Sequence, residues 1–240
     1  MDALSHLPSD EPAVSRIAQN LEEVRGRIAA AARGAGRDPA LVRLLAVSKT
    51  VPLEHIRAAV AAGQLLFGEN YLQEARSKIA VLGPALSWHF IGHLQSNKAK
   101  AAVALFEVIH GVDRLKLAQA LDSAAASMGG IQKILIQVNL AGEASKSGAA
   151  PETVPGLLRE FGQLPHLRVL GLMALPPWLA DPEAVRPYFR TLRELRDRLE
   201  AYCGQPLPEL SMGMSGDFEV AVAEGATLVR VGAAIFGSRG

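Results

Sequence analysis

Short apolar runs alternate with helix-period segments eight times along this chain, and few folds accommodate that order. The runs are Arg43–Ser48, Leu65–Glu69, Ser87–Ile91, Val108–Val112, Ile134–Asn139, Val169–Ala174, Glu209–Met212 and Leu228–Val231. Helices are expected near Pro52–Ala62, Leu72–Leu82, Asn97–Leu105, Arg114–Ala126, Pro151–Phe161, Ala184–Tyr202 and Phe218–Glu224, with a short turn of helix at Ala233–Phe236. In the first run, Leu44-Leu45-Ala46-Val47 shows no alternation, which suits a strand covered on both faces, as in a parallel sheet. Strict strand–helix alternation calls for such a sheet, and eight units suggest closure into an α/β (β/α)8 TIM barrel. A doubly wound open sheet is the alternative, but no run is followed by a Gly-x-Gly-x-x-Gly fingerprint.

Ahead of the first run, Ala13–Ala32 reads as an extra N-terminal helix with Val14, Ile17, Leu21, Val24 and Ile28 on one face. Its packing, on the closed end of the barrel or in self-association, stays open. A single domain over residues 1–240 is expected, with 1–12 flexible. Pro187 lies within the long Ala184–Tyr202 pattern, so that helix should begin within a turn of it. The arginine-rich stretch Arg186–Arg198 carries Glu194 and Asp197 among its arginines and reads as a solvated helix face.

The formal net charge is +1, without a run of like charge, which argues against nucleic acid or an anionic membrane as partner. Neither a signal-peptide core nor an apolar run of membrane-spanning length occurs. The lone Cys203 fits a reducing compartment, so the chain is expected to be soluble and cytoplasmic.

A barrel of this kind collects its functional groups where strands end. Lys49 follows the first run, where a partly desolvated amine has a lowered pKa and attacks aldehydes. The stretch Ser211-Met212-Gly213-Met214-Ser215-Gly216-Asp217 and the later Val231-Gly232-Ala233-Ala234 each bring glycines and free backbone N–H groups to a helix start, an anion site after strands seven and eight. Arg230, inside a buried run, needs a partner: an ion pair with Glu69 or Glu224, or a ligand acceptor such as a pyridine nitrogen. His89 and His93 flank a strand end without a metal-binding pattern, so no metal site is assigned, and Cys203 receives no role.

Together these features resemble fold-type III pyridoxal phosphate (PLP) proteins. More narrowly, the chain is identified as a member of the PLP homeostasis protein family, the YggS/PROSC type. The resemblance rests on Ala46–Thr50, Phe67–Tyr71, Trp88–Lys98, Ser145–Gly148, Gly171–Ala174, Ser211–Asp217 and Val229–Gly232, in order along residues 44 to 237. It implies a barrel of the alanine-racemase N-terminal-domain type with PLP held covalently, as a Schiff base, on Lys49. Ser215 and Gly216, with the backbone of Gly232 and Ala233, would hold the phosphate, and Arg230 would face the pyridine nitrogen. Asn70, His89, Asn139 and Met214 match positions lining the pocket, and Lys146 matches a lysine of a mobile loop. One departure is Gly111, where the family usually carries Ser or Thr, which puts a hydroxyl contact there in doubt.

An arginine against the pyridine nitrogen weakens the ring as an electron sink. The chain stops at Gly240, without length for the second β-domain of fold-type III racemases, and Tyr71, Tyr188 and Tyr202 are its only tyrosines. The expectation is a PLP carrier in vitamin B6 homeostasis, with no catalytic residues assigned. PLP, other B6 vitamers and transient contact with PLP-dependent apo-enzymes are its expected partnerships. A single-domain amino-acid racemase using Lys49 as one base is the main alternative, and a lysine Schiff-base aldolase acting on a phosphosugar is another.

Overall fold

The computed structural model describes residues 11–143 and 147–237. The eight runs form β1 (Arg43–Val47), β2 (Leu66–Glu69), β3 (Ser87–Phe90), β4 (Val108–Val112), β5 (Gln132–Val138), β6 (Leu167–Ala174), β7 (Glu209–Ser211) and β8 (Leu228–Val231). They hydrogen-bond in chain order into a closed barrel, and every pairing is parallel. The β1–β8 seam closes with Arg43 opposite Leu228 and Leu45 opposite Arg230.

Outward-facing Phe67, Trp88 and Ile109 join helix residues such as Ile56, Ala75 and Leu117 in one apolar shell. Two smaller apolar groups, Leu45 with Ile91 and Leu228, and Val108 with Leu135 and Met173, make up separate clusters. Gly68 makes room for the first of these, since a Cβ there would lie 2.2 Å from Leu45 Cδ2. The polar residues His89, His110, Ser211 and Arg230 are buried alongside them.

The helices are α1 (Glu11–Gly34), α2 (Leu53–Ala61), α3 (Leu72–Leu82), α4 (Ala99–Val103), α5 (Leu115–Ser127), α6 (Val154–Phe161), α7 (Arg186–Cys203), α8 (Phe218–Ala223) and α9 (Ala233–Phe236). Three helices differ from the sequence reading in the same way: 3-10 turns at Ser96–Lys98, Pro151–Thr153 and Pro182–Val185 precede α4, α6 and α7. Apolar spacing does not distinguish a tight first turn from an α-turn, because both place i and i+3 close together. The strands β5 and β6 start two residues earlier than read, because Gln132 is polar yet buried. Its amide donates to the carbonyls of Glu107 and Lys133. Pro187 sits in the first turn of α7, where its missing N–H costs nothing.

The arginines of α7 are not simply solvated. Arg186, Arg190 and Arg193 converge on Glu224 just after α8, at 3.0, 3.2 and 3.3 Å. The helix α1 starts at Glu11, two residues before the reading, and buries Ile17, Leu21, Val24 and Ile28. It packs against α2, α8 and α9, on the flank of the β1–β8 seam rather than the closed end of the barrel. Polar ties fasten it there: Asn20 Nδ2 donates to Ile235 O at 2.8 Å, and Arg27 pairs with Glu219. Among the described residues, no helix is long and apolar enough to cross a membrane.

Candidate functional site

Lys49 leaves β1 at its carboxyl end, half-buried, and the backbone on both sides of it is anchored. Before it, the Ser48 hydroxyl donates to Glu69 Oε1 at 2.7 Å, and the Ser48 carbonyl accepts from Lys78 Nζ at 2.5 Å. After it, Thr50 takes a left-handed φ of 61°, uncommon for a non-glycine residue, and its N–H donates to Glu74. Lys78 connects the two anchors, donating to Glu69 at 2.8 Å and Glu74 at 2.6 Å. Burial pushes the Glu69 carboxyl above its ordinary pKa, opposed by the hydrogen bonds from Lys78 and Ser48. Between these anchors Lys49 lines a cavity of about 210 Å³ with Val47, Pro52, His55, Gly232, Ala233 and Phe236.

The anion cradle forms beside it. Ser215 Oγ accepts from the backbone N–H groups of Gly232 and Ala234, both at 3.3 Å. These two N–H groups, at the start of α9, bring the loops after β7 and β8 onto one hydroxyl. Gly232 lies flat on β1, where an added Cβ would meet Val47 at 3.3 Å. Gly213 holds a left-handed φ of 89° with no room for a side chain, since a Cβ would lie 2.6 Å from that of Ala221. Asp217 folds the loop back by accepting from the Met214 N–H at 2.6 Å, and burial pushes its carboxyl pKa up. Ser215 and Met214 are half-buried, whereas Gly216 and Ala233 are exposed. The second N–H on the Ser215 hydroxyl is that of Ala234, one residue beyond Ala233.

Arg230 is 3% exposed and pairs with neither Glu69 nor Glu224, which are taken by Lys78 and by the α7 arginines. Its guanidinium donates instead to Ser211 Oγ at 2.5 Å and to Ala174 O at 2.8 Å. Burial lowers its pKa to about 10, partly offset by Asp217, so it stays cationic at neutral pH. Ser211 continues to His110 Nδ1 at 3.1 Å, and His110 Nε2 to His89 Nδ1 at 3.0 Å. Burial pushes the His89 pKa down to about 4 and that of His110 well below its usual value, so both rings are neutral. His89 is not among the residues lining the Lys49 cavity. It lines a separate cavity at the amino-terminal end of the barrel.

The remaining expected residues surround the mouth. Asn70 follows β2 half-buried, and its buried Oδ1 has no hydrogen-bond partner among the described residues. Asn139 donates to Glu143 O at 2.9 Å, and the segment beginning at Ser147 is seated by Gln137 on Ser147 O and by Asp113 on the Gly148 N–H. Lys146 lies outside the described residues. Gly111 is explained by packing: a Cβ there would lie 2.6 Å from Gly92 O, so no side chain fits this backbone. Sequence reasoning missed the roles of Ser48, Lys78 and Ser211. Lys78 carries no sequence signal, being a lysine on an amphipathic helix that turns out 6% exposed. Among the described residues, no group of three or more His, Cys, Asp or Glu side chains is arranged to hold a metal.

Comparison with known proteins extends this picture. The profile of the family described as alanine racemase, N-terminal domain, matches residues 14–240. A pyridoxal phosphate homeostasis protein from Pseudomonas aeruginosa is 51% identical over 227 residues, covering 94% of this chain and 97% of that protein. The structure of PipY from Synechococcus elongatus with PLP bound superposes with a TM-score of 0.81 at 40% identity, over 92% of this chain and all of the other. An alanine racemase from Corynebacterium glutamicum shares the fold at 18% identity and a TM-score of 0.70, over 94% of this chain and 62% of the racemase.

Proposed function

This chain belongs to the pyridoxal phosphate homeostasis protein family, and from that premise we propose that it binds PLP through a covalent bond to Lys49 and acts in intracellular PLP homeostasis. The observation that carries the reading is the convergence of three separate strand ends on one place. Lys49 and the Gly232 backbone share a cavity, Ser215 gathers two N–H groups at its edge, and Arg230 is buried in the adjacent strand end. The residues fit the cofactor. Two N–H groups and a hydroxyl suit a phosphate, and Gly232 admits a ligand close to β1. The guanidinium of Arg230 has five N–H donors, of which Ser211 and Ala174 engage one each, leaving donors for a pyridine nitrogen.

PLP when bound supplies a reactive aldehyde and an electron-withdrawing ring. The protein's part is to present Lys49 Nζ from an anchored turn, to neutralise the phosphate with oriented N–H dipoles, and to keep a cation at Arg230. A cation there disfavours protonation of the ring nitrogen, which supports storage and release rather than efficient amino-acid turnover. None of Tyr71, Tyr188 and Tyr202 lines the Lys49 cavity. The racemase alternative needs a second acid–base group, and among the described residues His55 is the imidazole that lines that cavity. Transient contact with apo-enzymes in the cytoplasm completes the proposed role.

The test is the visible absorption spectrum of the PLP-loaded protein beside Lys49→Ala. A band present in the parent and absent from the variant is expected. Its absence from both, with the barrel folded, would refute the reading and favour the phosphosugar alternative. Exchange of the alanine α-proton with solvent at enzymatic rates would replace the carrier role with the racemase.

A further inference from the structure

We propose that the amino-terminal end of the barrel holds a second ligand site, one for a small oxyanion, joined to Arg230 by a hydrogen-bond chain of fixed direction. A cavity of about 260 Å³ opens there, at the end opposite Lys49. His89 and His110 line it, together with Arg43, Lys133 and Arg168 at the starts of β1, β5 and β6. Arg43 is paired with Glu209 at 2.5 Å, and Lys133 with Glu107 at 2.8 Å. Arg168 is exposed and makes no hydrogen bond or ion pair among the described residues. With three cations against two carboxylates, the cavity carries an excess positive charge.

The second observation comes from the buried chain, whose polarity follows from the donors available. Arginine only donates, so Ser211 Oγ accepts from Arg230 NH1. Ser211 is fully buried, and His110 Nδ1 is the remaining partner for its single hydroxyl proton. His110 Nδ1 is therefore an acceptor, and in the neutral ring the proton sits on Nε2, which donates to His89 Nδ1. The neutral His89 then carries its proton on Nε2. That N–H has no protein partner among the described residues, although His89 is only 2% exposed, and the cavity is what His89 lines. An oriented N–H donor and an uncommitted guanidinium facing one small space call for an acceptor oxygen bearing negative charge.

Carboxylates and phosphate share that chemistry, and a ligand receiving the His89 N–H would polarise His110, Ser211 and Arg230 in turn. Binding at this site stands independently of the cofactor reading, because it concerns the opposite end of the barrel.

The experiment is nitrogen NMR of the full, PLP-free chain labelled in histidine, titrated with inorganic phosphate and separately with malonate at constant ionic strength set by chloride. Both His89 and His110 are expected to be Nε2–H tautomers, and the opposite tautomers would overturn the chain's direction. A saturable shift of His89 Nε2, with a smaller one at His110, is expected with one or both anions. Phosphate alone would identify a phosphate site, and malonate alone a carboxylate site. Arg168→Gln, at an exposed position that nothing else depends on, should weaken the response about tenfold, as expected for losing a charged hydrogen bond. No saturable shift, or one that Arg168→Gln leaves unchanged, would overturn the site. Phosphate occupying the Ser215 cradle is distinguished in the same spectra, since it would leave the Arg168→Gln and parent titrations alike.

Discussion

Replacing Lys78 by methionine tests whether the turn presenting Lys49 depends on a buried charge. The Lys78 side chain is 7% exposed and the Glu69 side chain 0%, and the pair is 2.8 Å apart. In the variant, Glu69 keeps the Ser48 hydroxyl on Oε1, while its Oε2 already has no partner among the described residues. Removing one member of a buried pair typically costs about 3–5 kcal/mol, because the other is left charged and dry. For a chain of this size, roughly 2–4 °C of Tm accompanies each kcal/mol, so thermal unfolding should fall by roughly 10 °C near neutral pH. The pH dependence supplies a sign. Glu69 already has a raised pKa through burial, and losing Lys78 removes two of the influences that lower it. A carboxyl raised in the folded state binds its proton more tightly there than in the unfolded chain. The stability of the variant is therefore best below the ordinary carboxylate pKa and is lost as pH rises through the folded value. Melts at about pH 5 and about pH 8 should show the deficit shrinking in acid. Adding Glu69→Gln should recover much of it at the higher pH, because the orphaned charge is gone. A loss under about 1 kcal/mol, or a deficit unaffected by pH and by Glu69→Gln, would refute the reasoning.

Three other outcomes follow from the geometry. Ser215→Ala removes the hydroxyl that gathers the Gly232 and Ala234 N–H groups, and should weaken PLP about tenfold in a fluorescence titration with little change in Tm. His89, its pKa lowered from 6.5 to about 4, lends stability that is complete above 6.5 and lost as pH falls toward 4. Urea midpoints across that window should record a loss on the order of 3 kcal/mol, absent from His89→Gln. Leu21→Ala, at a fully buried position on α1, should cost about 2–5 kcal/mol by chemical denaturation while leaving the PLP absorption band in place.

Where residues face was readable from the chain; what they touch across the barrel was not. Alternation of apolar runs and helical periods determined the parallel barrel, because period alone says which faces must be covered. Lys49, Ser215, Arg230 and Gly232 then had to gather near one end, since parallel strands all finish there. Gly111 was visible as a departure, yet its reason, the Gly92 carbonyl against it, belongs to the packing of neighbouring strand ends. The Arg230 partners, Ser211 and Ala174, arise from strand register and not from charge, which is why neither Glu69 nor Glu224, one of the two alternatives the sequence left open, pairs with it. His110 and Ser211 stand 101 residues apart and meet only because the barrel closes. The Lys78 clamp depends likewise on α3 packing back over the end of β1. Local periodicity encodes burial, but the partner of a buried polar group is set by closure and register, which are decided by the whole chain at once.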